Sequence, residues 1–214
     1  NTPFDTLGSY QVGPGAVGNA VFIQGAGDRL EHAFSGWQAD QFSVSFWMKL
    51  DYAEGVTNYT SIGPGWDKLQ FVVNSNNAVR LVMNSEVLTE LPTEQQLKPI
   101  DQWNQWTLSY DGDTLTAYQN GQQVANISGI APPAKPWWNF KVEFGKNLAD
   151  GSLVTGGLDE FRVYDRPLTS QEAWQLYDNP EGTNPGQISL TLPTSPGSEV
   201  DNTPVTGSLY HFAS

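Results

Sequence analysis

Two sets of residues in this chain are of types that could do chemistry: carboxylates set among strand formers or glycines, and tryptophans set in turn-rich loops. Asp159 lies inside Gly156-Gly157-Leu158-Asp159-Glu160-Phe161-Arg162-Val163-Tyr164, a run otherwise suited to a strand. Strand interiors disfavour Asp, so a carboxylate there calls for a cation or for a dense set of hydrogen bonds. Asp28 closes Gly25-Ala26-Gly27-Asp28, where glycines allow backbone carbonyls to turn inward, and Asp5 stands on an opening strand expected to pair near Asp159. Carboxylates alone would not complete a calcium site, which takes about six to eight oxygens. The structural alternative is that Asp159 accepts backbone N–H groups and that Asp5 and Asp28 are ordinary turn acids.

The tryptophans divide by context. Trp66 and Asp67 follow Gly63-Pro64-Gly65, and Trp137, Trp138 and Asn139 follow Pro132-Pro133-Ala134-Lys135-Pro136. Flat rings beside polar groups in loops stiffened by proline suit a sugar, which presents an apolar C–H face and a set of hydroxyls. The alternative is that these rings fold back over a sheet edge. Trp47, Trp103, Trp106 and Trp174 fall within strand or helix patterns and are expected in the core.

The elements that must position these groups are mostly strands. Alternating apolar residues recur at Phe42-Val44-Phe46-Met48, Leu69-Phe71-Val73, Val79-Leu81-Met83 and Phe161-Val163, each run bounded by turn residues. That pattern predicts two antiparallel sheets packed face to face. Asp111-Gly112 and Asn120-Gly121 accept positive φ and predict hairpin turns. One short helix is expected after Leu168, because Thr169 and Glu172 form a capping-box pattern, Ala173, Leu176 and Tyr177 recur at helical spacing, and Asn179-Pro180 ends it. From residue 181 to 214 the composition shifts to Gly, Pro, Ser and Thr, so residues 1–180 read as the domain. The remainder reads as a linker, an arm or the start of a next repeat, with 187–192 an isolated strand.

Gly157-Leu158-Asp159-Glu160-Phe161-Arg162-Val163-Tyr164 with its following helix resembles the ending of laminin-G-like, concanavalin A-like jelly-roll domains. Three upstream blocks resemble the same family in the same order: 18–30, Phe42 to Lys49, and Trp103 to Gly121. The resemblance implies an all-β antiparallel sandwich with one short C-terminal helix. It also implies a calcium site to which an Asp at the place of Asp159 contributes with backbone carbonyls, Asp5 and Asp28 being further candidates. Jelly-roll glycosidases of this class carry a Glu-x-Asp-x-x-Glu strand that sets nucleophile and acid on one face. Here the only Glu-x-Asp is Glu199-Val200-Asp201 in the tail, with no third acid following. Lyases of this architecture use Tyr and His with Arg or Gln, whereas His32 sits in an expected loop and His211 near the C-terminus. No catalytic residue is assigned.

Composition narrows the partners. With 10 Lys+Arg against 23 Asp+Glu the formal charge is −13, which opposes nucleic acid and anionic lipid. No Cys is present, so disulfides and thiolate metal sites are excluded. No stretch approaches the roughly 20 apolar residues of a spanning helix, and Asn1 in place of Met suggests a processed protein or an excised fragment. Gly13-Pro14-Gly15-Ala16-Val17-Gly18 fits a dinucleotide fingerprint only in its glycines, since strand-forming residues follow where a helix is required. The expectation is a non-catalytic module of a larger secreted or cell-surface protein, binding a polysaccharide or cell-surface glycan. The alternatives are a polysaccharide hydrolase or lyase, and a structural or protein-binding repeat of an adhesin.

Overall fold

The computed structural model describes residues 5–7, 10–24, 29–34, 40–51, 69–73, 79–83, 86–91, 102–132, 140–144, 155–180 and 187–189. The largest sheet has the strand order β11(Gln122–Ile127), β10(Leu115–Gln119), β9(Asn104–Tyr110), β5(Phe42–Leu50), β13(Gly156–Tyr164), β3(Asn19–Ile23), β2(Tyr10–Pro14). An eighth strand, β14(Gln187–Ser189), pairs with the second half of β13. A three-stranded sheet orders β1(Asp5–Leu7), β4(Arg29–Phe34) and β12(Phe140–Phe144), and another orders β6(Leu69–Val73), β7(Val79–Met83) and β8(Glu86–Glu90). All strand pairings among the described residues are antiparallel.

The period-two patterns decide which side faces the core. On β5 and β9, Phe42, Val44, Phe46, Met48, Trp106, Leu108 and Tyr110 turn inward with Leu158, Phe161 and Val163 of β13. Phe71 of β6 packs edge-on against Phe46 and Trp106, at centroid distances of 5.4 and 4.7 Å. Leu30 of β4 and Phe144 of β12 enter the same cluster. The three sheets therefore enclose one apolar interior, the main source of stability.

Alternate residues of the largest sheet form an outer face of another character: Ser43, Ser45, Gln105, Thr107, Ser109 and Arg162. This face is roofed by α1(Ser170–Asp178). Thr169 caps α1 by accepting from the Glu172 N–H, and Glu172 reaches back to the Thr169 N–H. Just before the helix, the Leu168 N–H donates to Ser43 Oγ and Ser109 Oγ at 3.0 and 2.9 Å, and Ser43 Oγ donates to the Arg166 carbonyl. Tyr164, Leu168 and Leu176 close a small apolar cluster beneath the roof.

Both expected hairpins form. Asn120 and Gly121 adopt φ of 50° and 75° between β10 and β11, and Asp111 Oδ1 accepts from the Asp113 and Thr114 N–H groups between β9 and β10. Two details depart from expectation. His32 lies on β4, opposite Val142, and is not in a loop, while the 187–189 strand is not isolated but lies against Arg162–Tyr164.

Candidate functional site

Asp159 is fully buried on the outer side of β13, opposite Trp47. Pairing advances by two residues on β5, from Trp47 to Ser45, while β13 advances by three, from Asp159 to Arg162. The extra residue is Glu160, bulged out at φ 47°. This bulge returns Phe161 and Val163 to the core face. Glu160 pairs with Arg162, both buried, and the same Arg162 Nη2 donates to the Pro180 carbonyl beyond α1.

The Asp159 carboxylate reaches into the turn joining β2 to β3. Oδ2 accepts from the Val17 N–H at 2.9 Å, and Oδ1 accepts from the Glu160 N–H at 2.8 Å. Burial pushes its pKa up to about 6, against the downward pull of those backbone donors. A Cβ on Gly15 would land against Oδ2 and 3.0 Å from the Ala20 nitrogen, so the turn can close over the carboxylate only with glycine there.

Each Asp159 oxygen keeps lone-pair capacity beyond its hydrogen bond, and hard oxygen donors of this kind suit calcium. Asp5 does not join Asp159 as a neighbour in the same sheet: β1 pairs with β4, with Asp5 opposite Glu31, while β13 is flanked by β5, β3 and β14. Asp28 lies outside the described residues, as do Trp66, Asp67, Trp137, Trp138 and Asn139. Among the described residues, no three His, Cys, Asp or Glu side chains gather as a metal-holding group. Of the expected donor set, the Asp159 side chain is the member that the described residues place, and the turn presents it with N–H groups.

The tryptophans expected in the core separate. Trp106 is fully buried, and Trp47 and Trp103 are half-buried on the outer face. Trp174 is 45% exposed, which corrects its assignment to the core. The buried residues of α1 are Ala173 and Leu176, and position 174 turns from that stripe toward the β10–β11 turn. There its ring and Cα sit so close to Gly121 that a Cβ on that glycine would be 2.8 Å from Cε3. Tyr177 meets Trp174 edge-on at 5.7 Å and stacks on Trp47 at 5.8 Å. Beside them, Asn104 Oδ1 accepts from Gln119 Nε2 and Asn120 Nδ2, and Asn120 Oδ1 accepts from the Gln105 N–H. The aromatic surface went unread in the sequence because helical spacing marks Trp174 as periodic without saying which flank of a two-turn helix the sheet leaves open.

A family model described as the concanavalin A-like lectin/glucanases superfamily (Laminin_G_3) matches residues 24–173. The chain belongs to this superfamily, and its antiparallel sheets with one short helix are that fold. No curated protein matches the sequence. Among solved structures it is similar to domain 4 of a GH43 extracellular arabinanase from Geobacillus stearothermophilus, in complex with arabinotriose. That match has 20% identity and a TM-score of 0.63, covering 79% of this chain and 82% of that one. It is also similar to the receptor binding domain of the botulinum neurotoxin C/D mosaic serotype, at 16% identity and TM-score 0.65, covering 83% of this chain and 46% of that one. The binding domain of botulinum neurotoxin DC in complex with rat synaptotagmin II matches at 15% identity and TM-score 0.64, with coverages of 89% and 49%. The chain thus spans about half the length of these toxin domains. At such identities the likeness is one of fold. Among the described residues no helix is long and apolar enough to cross a membrane.

Proposed function

We propose that this domain is a non-catalytic carbohydrate-binding module of a larger secreted or cell-surface protein, joined to other domains of the same polypeptide. One observation carries the reading: the outer face of the largest sheet spends its acids on architecture and leaves aromatic rings open. Asp159 is engaged by backbone N–H groups, and Glu160 is engaged by Arg162. Neither acid faces a cleft as a general acid or base would have to. Trp174 remains nearly half exposed against Gly121 and Tyr177. The whole-domain likeness to an arabinotriose-bound arabinanase domain supports a sugar ligand. An adhesive, protein-binding role is the second reading, supported by the likeness to a toxin domain bound to synaptotagmin.

Calcium, in this proposal, would be held by Asp159 and carbonyls of the neighbouring turn, with Asp28 as a further ligand, and would stiffen the β2–β3 turn. Free calcium at about 100 times its Kd would add roughly 2.7 kcal/mol of stability. Thermal melts should therefore rise with calcium and fall with chelator, and Asp159→Ala should abolish the difference. Isothermal titration and a glycan array, each with calcium and with chelator, test the function. Binding to at least one polysaccharide without release of reducing sugar is expected. Sugar release, or binding to no glycan in either condition, would overturn it.

A further inference from the structure

We infer that the α1 side of the largest sheet carries a binding platform for a neutral, hydroxyl-rich glycan chain, centred on Trp174. The inference rests on the glycan-binding reading above and gives it a place and a ligand class. Docking of α1 does not need an indole at 174, because Ala173, Leu176 and the preceding Leu168 already bury the apolar stripe. An indole left 45% exposed therefore sacrifices burial that a core position would have kept.

The ring is also held. Gly121 supports one edge, Tyr177 meets it edge-on, and Tyr177 is in turn stacked on Trp47 of β5. Turn, helix and strand thus fix the ring before any ligand arrives, which lowers the ordering cost of binding. Exposed polar side chains stand on the same side: Gln171 one turn earlier and Asp178 one turn later on α1, and Gln123, whose register opposite Tyr118 puts it on the α1 face of the sheet. An amide offers a donor and an acceptor on one planar group, the pair that adjacent hydroxyls complement. Among the described residues no cation lies next to Trp174 on α1 or follows Gly121, and the chain's charge of −13 repels polyanions such as a uronate or sulfated polymer. Uncharged sugar rings stacking on the indole, with hydroxyls bonded to the glutamines, are what this surface fits.

The test is affinity electrophoresis of the full chain in gels holding soluble arabinan, xylan or galactomannan, with polygalacturonate as the charged control. The chain is compared with Trp174→Ala, Trp174→Phe and the Gln123→Ala/Gln171→Ala pair. Wild type should be retarded by a neutral polymer and not by polygalacturonate. Trp174→Ala should lose affinity about tenfold or more, Trp174→Phe less, and the glutamine pair severalfold. Because the indole is partly packed on Gly121 and Tyr177, Trp174→Ala should lower the melting temperature by about 2–4 °C while leaving a single cooperative transition, too little to unfold the chain at the temperature of the gel. Undiminished affinity in both Trp174→Ala and the glutamine pair would overturn the platform while leaving glycan binding standing. A wild type that binds none of the neutral polymers would overturn both, and preference for polygalacturonate would overturn the neutral class.

Discussion

Asp159 shows how far a single residue type can be read. Its place in a strand pattern flagged an acid needing partners, and the structure supplies them from Val17, 142 positions away, and from Glu160 next to it. No local spacing could name Val17, because its N–H is presented only once the β2–β3 turn closes. Gly15 carries the same information in steric form. Gly15→Ala should destabilise the fold by about 1–3 kcal/mol, since its methyl group must displace either the carboxylate or the Ala20 backbone. Denaturant unfolding monitored by tryptophan emission measures this. A stability unchanged within error would mean that the turn does not close on Asp159 in solution.

At the scale of elements, signals written locally were legible and those needing a partner were not. The capping box and the Asn-Gly and Asp-Gly turns appear where their residues put them, because each satisfies its own backbone groups. The bulge at Glu160 was silent in the sequence, for nothing about a glutamate announces positive φ; it follows from keeping Phe161 and Val163 inward. Arg162→Met should cost about 3–5 kcal/mol by leaving Glu160 buried without its guanidinium, whereas Glu160→Gln with Arg162→Met should recover part of that loss. Chemical denaturation of the single and double variants separates the two. Glu172 ties the helix start to Arg166, and that guanidinium, aided by Thr169, holds the Glu172 pKa down to about 2. Because the folded value lies below the ordinary 4.5, its contribution is complete above about pH 4.5 and is lost as the pH falls toward 2. Glu172→Gln should therefore lower stability by about 1 kcal/mol near neutrality and flatten the acid limb of a melting-temperature profile.

For the molecule as a whole, the order of strand blocks along the chain identified the jelly roll, since ordered patterns survive where single residues vary. That order did not reveal that the tail returns to pair with β13, because three residues of extended chain carry no signal apart from their neighbour. Charge is the other whole-molecule property. A chain of charge −13 that binds an uncharged polymer releases few counterions, so its affinity should change less than about twofold between roughly 0.05 and 0.5 M salt. Steep weakening with salt in the same electrophoresis would point to a charged ligand. The hydroxyl-lined seam beneath α1 has a kinetic consequence. A nine-residue helix is marginal on its own, and the floor it covers, with Ser43, Ser45, Thr107 and Ser109, readily accepts water in its place. Transient lifting of this roof should therefore precede any opening of the sandwich, so that the α1 amides exchange their hydrogens well ahead of those in β5 and β9.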